Sequence, residues 1–379
     1  MPEATPGWQV VSGQRRQARI DRRLPDGVSD EPAHAGDVAV RTEGTTDPAP
    51  RNHWTARAIM LAAIPANGSR GIDVSSLVPA GMEADVVARL FWIMVIGAGV
   101  VWVVVLAIAL YAMARPGPRE RRVGRLLILV GGVATPVVVL GSLLVYGLIL
   151  MPQLREPPPK EGPHVAVTGE QWWWRVRYAG FGDGDDVVLA NEIRLPVGER
   201  VRFVLDSPDV IHSFWIPSLA GKVDMIPGRT TTLVLEPTRT GVFRGACAEY
   251  CGTSHAHMRF VAVVMERADF DHWLRAQAAP ARAPRTQGER AGQAAFLRNG
   301  CGACHAVRGT AARGAVGPDL THVGSRLELA AGTLPNDADA FARWIKNAHV
   351  YKPEALMPPF AALPPADLRD IALYLDGLQ

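Results

Sequence analysis

The sequence is poor in cysteine and has no large excess of charge, and both shortages restrict its function. Its 379 residues carry 40 basic and 37 acidic side chains, so the composition shows no nucleic-acid-binding footprint. The four cysteines form two close pairs, Cys247/Cys251 and Cys301/Cys304, each with a histidine nearby. This usage favours bound cofactors over a disulfide framework, in a chain long enough for two or three domains.

Charged side chains are absent from two long apolar runs, Leu90 to Met113 and Leu126 to Leu150. Each run exceeds the ~20 residues that span a hydrocarbon core. The sequence therefore predicts a transmembrane helical hairpin over residues 89–150, with a buried soluble hairpin as the alternative. Because charges inside a membrane usually mark ion or proton paths, we interpret this hairpin as an anchor and a packing surface.

The connection between the two runs is strongly basic. It has one acid, Glu120, against the arginines Arg115, Arg119, Arg121, Arg122 and Arg125. The positive-inside rule places such a connection in the cytoplasm. We therefore expect a two-pass protein of the bacterial inner membrane, with everything after Met151 on the periplasmic or extracytoplasmic side.

The N-terminal region lacks the apolar periodicity of a folded domain. Residues 1–57 are rich in Pro, Gly, Arg and Asp, and we interpret them as a disordered extension or a misassigned start. The run of small and apolar residues from 58 to 63, after Arg57, resembles a short signal-peptide core. Residues 58–88 are therefore interpreted as a signal peptide and a short outer segment.

Short strand-like runs separated by Pro, Gly and Asp follow the hairpin, from His164 to about Glu266. Such runs with regular turn signals are typical of an all-β sandwich or barrel, which we place at residues 151–275. The predicted strands are 165–167, 172–178, 191–195, 202–205, 231–235 and 260–264.

Soft metal donors cluster in this β region, namely His212, Cys247, Cys251, His255 and Met258. Two thiolates, two imidazoles and a thioether favour copper, and one blue copper ion would need only one cysteine. The second cysteine therefore indicates two copper ions bridged by thiolates, a centre that shares one electron and changes geometry little on reduction. A tetrahedral structural zinc site is the competing interpretation, although methionine and this cysteine spacing are less typical of zinc.

The motifs around these donors resemble cytochrome oxidase subunit II, whose CuA domain has a cupredoxin fold. The resemblance covers roughly residues 90–274. It rests on Gln171-Trp172-Trp173-Trp174, on Asp209-x-x-His212-Ser213, on Lys222-x-Asp224-x-Ile226-Pro227-Gly228-Arg229, and on the Cys-x₃-Cys-Gly-x₂-His-x₂-Met string from Cys247 to Met258.

This resemblance implies specific roles for single residues. The binuclear CuA centre would have as ligands His212, Cys247, Cys251, His255, Met258 and the backbone carbonyl of Glu249. The Glu249 carboxylate would reach a magnesium or manganese ion at the interface with subunit I. Trp172 resembles the exposed tryptophan at which electrons enter.

A second cofactor is indicated near the C-terminus. Residues 276–288 are polar with two prolines and are interpreted as a flexible or semi-extended linker. After it, Cys301-Gly302-Ala303-Cys304-His305 is the C-x-x-C-H signature of covalent haem c attachment, with thioethers to both cysteines and His305 on the iron.

The arrangement around that signature resembles an all-α class I cytochrome c over residues 289–379, with helices at 290–298, 338–346 and 365–378. The resemblance implies that Pro318 supports His305 and that Met357 is the sixth iron ligand. Met357 is also the only methionine after Met265, and a His/Met pair raises the haem potential. His322 and His349 are the alternative ligands.

The whole chain resembles subunit II of caa3-type haem-copper oxidases: a transmembrane hairpin, a cupredoxin-like barrel and a cytochrome c domain. That resemblance implies electron transfer from cytochrome c through haem c and CuA to haem a of subunit I, where CuB takes part in reducing oxygen to water. Subunit III is a further expected partner. A CuA subunit of a nitric oxide reductase is one alternative, and a membrane copper and haem redox-binding protein without turnover is another.

Overall fold

The computed structural model describes residues 71–115, 117, 121–152, 163–179 and 186–379. Along these residues the chain forms two long apolar helices, a β-sandwich and a helical domain. The predicted extension at 1–57 and the signal-peptide core at 58–63 lie outside the described residues, as do residues 118–120 of the basic connection.

Two apolar helical spans precede the sandwich. The first is helix α1 (Met82–Ala114), and the second runs through α2 (Arg121–Leu129), a π-helical turn (Val130–Ala134) and α3 (Thr135–Leu150). Both spans are long and apolar enough to cross a membrane, and their apolar side chains are exposed. The predicted hairpin helices are thus confirmed, although α1 begins before Leu90.

The first sheet of the sandwich has the strand order β3-β2-β1-β5-β8. Its strands are β1 (His164–Glu170), β2 (Trp173–Tyr178), β3 (Val187–Ala190), β5 (Val201–Asp206) and β8 (Thr231–Leu235). Strands β1 and β5 pair in parallel, and the other neighbours are antiparallel. Alternate residues of β1 and β2 are buried, as expected for strands with one face on a core.

The second sheet has the order β4-β10-β9-β6-β7 and carries the predicted metal ligands. Its strands are β4 (Glu192–Pro196), β6 (His212–Trp215), β7 (Val223–Met225), β9 (Gly241–Cys247) and β10 (Arg259–Met265). Phe214 of β6 pairs with Cys247 of β9. This register brings the start of β6, where His212 lies, beside the end of β9.

Aromatic side chains fill the space between the two sheets. The rings of Phe214 and Phe260 stack at 4.8 Å, and Trp174 packs edge-on against both. Gly245 of β9 lies directly against the Phe260 ring, where an added Cβ would come within 2.1 Å of a ring carbon. The core therefore fixes β6, β9 and β10 tightly against one another beneath the metal ligands.

The segment before α1 joins the membrane helix to the sandwich. The amide of Asp73 donates to the carbonyl of Val242 at 2.7 Å, and that of Ala80 donates to Ser218 at 2.7 Å. Gly81 lies so close to Leu219 that an added Cβ would stand 2.1 Å from its carbonyl oxygen. Residues 71–81, part of the predicted outer segment, thus belong to the sandwich surface.

The C-terminal part is helical, as predicted. Its helices are α4 (Arg267–Ala278), α5 (Gln287–Arg298), α6 (Ala338–Lys346), α7 (Ala348–Tyr351) and α8 (Pro365–Asp376), and it adds a small hairpin of β11 (Glu328–Leu329) and β12 (Leu334–Pro335). Helix α4 packs on the sandwich, because Phe270 and Leu274 belong to the sandwich core. A separate core lies between α5, α6 and α8.

The segment predicted as a flexible linker has fixed contacts instead. Helix α4 continues to Ala278 and α5 begins at Gln287, so only eight residues (279–286) lie between the helices. The Ala281 amide donates to the carbonyl of Arg308 at 2.9 Å, and the carbonyl of Ala279 lies 3.0 Å from His322 Nε2. Composition alone misses these contacts because the partner residues are distant in the sequence.

Candidate metal centre

Soft donor atoms from three parts of the sandwich meet at one point. His212 begins β6 and Cys247 ends β9, while Cys251 follows in the loop toward β10. The ligand atoms of these three residues all lie within 4.8 Å of one another. Cys251 Sγ is 3.5 Å from His255 Nδ1 and 3.8 Å from Met258 Sδ. All five side chains of the predicted ligand set therefore come together.

His212 is held in one orientation by its neighbours. Its Nε2 lies 2.9 Å from Asp209 Oδ1, so its Nδ1 is the nitrogen that faces Cys247 Sγ, at 3.8 Å. The ring packs on Gly169, where an added Cβ would come within 2.9 Å of it. Supporting bonds of this kind fix the tautomer and direction of a ligating histidine.

The thiols of Cys247 and Cys251 have pKa values shifted in opposite directions. A hydrogen bond from the Cys251 thiol is the largest influence on Cys247 and lowers its pKa to about 4, whereas the same interaction raises the pKa of Cys251. Burial opposes protonation of His212, but hydrogen bonds to Cys247 and Asp209 outweigh it and raise the His212 pKa. Since ligands bind metals in their deprotonated forms, metal uptake here would release protons.

The donor set fits copper. Two thiols, two imidazoles and one thioether exceed what a tetrahedral ion takes up, and the carbonyl oxygen of Glu249 adds a further donor 3.2 Å from Cys247 Sγ. Soft donors of these types select copper. These residues would hold copper, which would supply one-electron chemistry at this point of the sandwich.

The carboxylate of Glu249 points away from the sulfur cluster. Its Oε2 lies 3.3 Å from Lys222 Nζ, which also lies 3.3 Å from Asp224 Oδ1. Asp224 in turn accepts a hydrogen bond from Ser213 at 2.7 Å, beside His212. The backbone and the side chain of Glu249 thus face two different environments.

Trp172 is not at an exposed surface, so that part of the prediction is wrong. Its side chain is 5% exposed, and its Nε1 donates to the Cys251 carbonyl at 3.0 Å. Its own carbonyl accepts a hydrogen bond from Lys352 Nζ at 2.7 Å. The side chain belongs to the core of the sandwich, while the backbone faces the helical C-terminal domain, which sequence reasoning treated as a separate module. The neighbouring Trp174 is a core residue.

The haem-attachment motif lies on a short turn after α5. Cys304 is exposed and Cys301 partly buried. His305 Nδ1 lies 2.8 Å from the Pro318 carbonyl and donates to it, so that Nε2 remains for iron. Burial lowers the pKa of His305, which favours the neutral imidazole that a metal requires. An added Cβ at Gly317 would come within 2.5 Å of the His305 ring.

The two alternative histidines have other partners in the structure. His322 is buried and its Nε2 is bonded to the Ala279 carbonyl, while His349 Nε2 lies 2.8 Å from the Ala355 carbonyl. Met357 is partly buried against the core of the helical domain. The residues of this domain would fit a haem c held by Cys301, Cys304 and His305.

Comparison with known families agrees with both sites. Residues 164–265 match the family model for the periplasmic domain of cytochrome c oxidase subunit II, and residues 289–379 match the model for cytochrome c. Together these two domain types imply binding of copper and of haem c.

Individual relatives are named cytochrome c oxidase subunit 2. Cytochrome c oxidase subunit 2 of Alkalihalophilus pseudofirmus is 38% identical over 230 residues, which cover 59% of this chain and 65% of that protein. The subunit 2 of Bacillus sp. strain PS3 is 34% identical over 199 residues, covering 50% of this chain and 54% of that protein. The chain thus spans between half and two thirds of the length of these relatives.

One solved structure is similar to part of this chain. The periplasmic domain of subunit II of cytochrome oxidase from Bradyrhizobium japonicum has 31% sequence identity and a TM-score of 0.30, over 32% of this chain and 96% of that chain.

Proposed function

We propose that this chain, which joins a cytochrome c oxidase subunit II periplasmic domain to a cytochrome c domain, is the electron-accepting subunit of a terminal respiratory oxidase. The observation that carries the proposal is the meeting of His212, Cys247 and Cys251 within 4.8 Å. A second redox-cofactor motif in the same chain supports it. The reaction would be the oxidation of cytochrome c coupled to the reduction of oxygen to water in another subunit.

Each group of residues has a defined task in this proposal. Cys301, Cys304 and His305 hold the haem c at which electrons arrive, with Met357 as the opposite ligand. His212, Cys247, Cys251, His255 and Met258, with the Glu249 carbonyl, hold the binuclear copper centre CuA. Rigid support of these ligands keeps the geometry nearly constant when an electron arrives or leaves, and small rearrangement means fast transfer.

The expected partners follow from the same family. Haem a and CuB would lie in subunit I, with subunit III in the complex, and the donor would be a cytochrome c. A magnesium or manganese ion would bind the Glu249 carboxylate at the interface with subunit I. The two apolar spans would lie in the bacterial inner membrane, with both redox domains on the outer side. The relatives named as cytochrome c oxidase subunits favour oxygen over nitric oxide as the acceptor.

The test replaces one ligand and one neighbour on the same turn. Loss of a residue that supports a metal ligand lowers metal affinity or activity about 10- to 100-fold. His255→Ala removes a predicted ligand itself, so oxygen consumption by the assembled complex with reduced cytochrome c should fall by more than this. His257→Ala is the matched control and should retain the activity, because His257 is not among the predicted ligands. Equal activities of the two variants would reject the copper assignment of His255.

The same preparation tests the acceptor. The purified complex should contain haem a and consume oxygen. Consumption of nitric oxide without consumption of oxygen would identify the complex as a nitric oxide reductase and reject the oxidase assignment. Absence of any copurifying catalytic subunit would favour a redox-binding protein without turnover.

A further inference from the structure

The cytochrome domain covers the face of the sandwich that contains Trp172. Lys352, just after α7, is 4% exposed, and its Nζ donates to the Trp172 carbonyl at 2.7 Å. Burial lowers the pKa of Lys352 to about 7. An ammonium group in a dry interface costs free energy unless it finds an acceptor. The contact therefore favours one position of the cytochrome domain, because a shift of the domain would leave Lys352 buried without its acceptor carbonyl.

The residues after Lys352 directly contact residues 248–258, the loop between β9 and β10 that is called the copper loop here. Ser254 Oγ, fully buried, donates to the Pro353 carbonyl at 2.6 Å, and Thr253 Oγ1 donates to Glu354 Oε2 at 2.8 Å. Ser254 and Thr253 both lie between the predicted ligands Cys251 and His255. Glu354 has a φ of +62°, a conformation uncommon for residues other than glycine. Residues 352–354 thus have an unusual backbone conformation where they contact the copper loop.

A second set of contacts joins the helical domain to strands β9 and β4 of the sandwich. Arg244 of β9 makes a two-pronged ion pair with Glu328 of β11, at 2.5 and 2.7 Å. The Leu327 amide donates to Glu192 Oε2 at 2.9 Å. Paired guanidinium and carboxylate groups have a strict mutual geometry. Two separated polar contacts determine both the position and the rotation of the domain on the sandwich.

We propose that Lys352 is a positioning residue that docks the cytochrome domain over Trp172 and thereby closes this face to any separate electron-donor protein. This inference rests on the proposed function and adds to it the residue that positions one redox domain on the other. The chain's own atoms form a continuous path, from Lys352 Nζ to the Trp172 carbonyl and from Trp172 Nε1 to the Cys251 carbonyl.

The first test measures whether the face is closed, without using either cofactor. The full-length chain is treated with acetic anhydride, and the acetylation of single lysines is followed by mass spectrometry. Lys352 should react at least about tenfold more slowly than Lys346, which is exposed on α6 of the same domain. Equal or faster reaction of Lys352 would overturn the docked arrangement.

The second test measures positioning in the holoprotein. Lys352→Met keeps the length of the side chain and removes the ammonium, and Lys346→Met is the matched control. Electron transfer from haem c to copper should slow at least about tenfold in Lys352→Met alone, with both reduction potentials unchanged. An unchanged rate would reject the positioning role. Should this variant fail to fold, the acetylation ratio of the unmodified chain decides.

The two proposals fail in distinguishable ways. Absence of electron transfer in the unmodified holoprotein would contradict the proposed function while leaving the acetylation result intact. A reactive Lys352 in a chain that transfers electrons normally would contradict only the docking.

Discussion

Single residues at the copper site have neighbours that explain their positions. Cys251 is the most connected of them, since its sulfur contacts His255 and Met258 while its carbonyl accepts from both Gln171 and Trp172. Substitution of its sulfur therefore tests the metal centre without removing the backbone contacts.

We expect Cys251→Ser to abolish the binuclear copper signature and to leave haem bound, because the haem motif follows α5 in the helical domain, whose core is separate from that of the sandwich. Electron paramagnetic resonance of the unmodified protein should show one unpaired electron coupled to two copper nuclei. A one-copper spectrum, or stoichiometric zinc from copper-supplied cells, would contradict the assignment.

At the haem, attachment and tuning depend on different residues. Met357→Ala should leave haem covalently attached, because the thioethers come from Cys301 and Cys304, and should lower the reduction potential by removing the sulfur ligand. Potentiometric titration and the visible spectrum measure the change. An unchanged potential would transfer the ligand role to His322 or His349.

The sequence predicted more at this scale than it missed. All five copper-ligand candidates converge, because Cys-x₃-Cys-Gly-x₂-His-x₂-Met is a local string and only His212 had to arrive from elsewhere in the chain. Trp172 was placed on the surface wrongly. Its side chain is part of the sandwich core, and its carbonyl bonds to Lys352, 180 residues away; no local pattern encodes these contacts.

At the scale of elements, the packing of β9 on β10 determines how firmly the copper ligands are held. We expect Gly245→Ala to lower the stability of the sandwich by about 1–3 kcal/mol, because the new methyl group would overlap the Phe260 ring. Gly221→Ala is the control, since an added Cβ there meets nothing within 4 Å, and surface changes usually stay within about 0.5 kcal/mol. Calorimetry of the sandwich transition compares them, and equal melting temperatures would argue against tight packing here.

Element prediction succeeded where the local pattern was strong. The strand at 231–235 and the helix at 338–346 have the predicted bounds. The predicted strands did not include β3, β6, β7 or β9. Strands β6 and β7 are three or four residues long and carry metal-site or polar residues in place of an alternating apolar pattern. Their pairing comes from the sheet, which sequence periodicity does not describe.

For the whole molecule, two separate cores predict two separable folding units. Deleting everything after Ala278 should leave a folded, copper-binding sandwich, because its core ends at Leu274. It should also uncover Trp172, so that a separate cytochrome c can reduce the copper domain directly at high concentration. Turnover against donor concentration, with copper content checked, compares the two forms. Identical curves would show that the cytochrome domain is not on the path, and loss of copper would show that the sandwich depends on it.

The ion pair between Arg244 and Glu328 has a consequence for the influence of salt. Its side chains are only 17% and 21% exposed, and sheltered pairs are screened far less than exposed charges, for which the Debye length falls from about 30 Å at 0.01 M to about 3 Å at 1 M ionic strength. Transfer between the two domains should therefore keep the same rate across this range, whereas the arrival of a separate donor that is guided by exposed charges should change. Flash reduction of the full chain at stepped ionic strength separates the two rates. In such a chain, the rate of electron transfer between the two domains does not depend on the salt concentration outside the membrane.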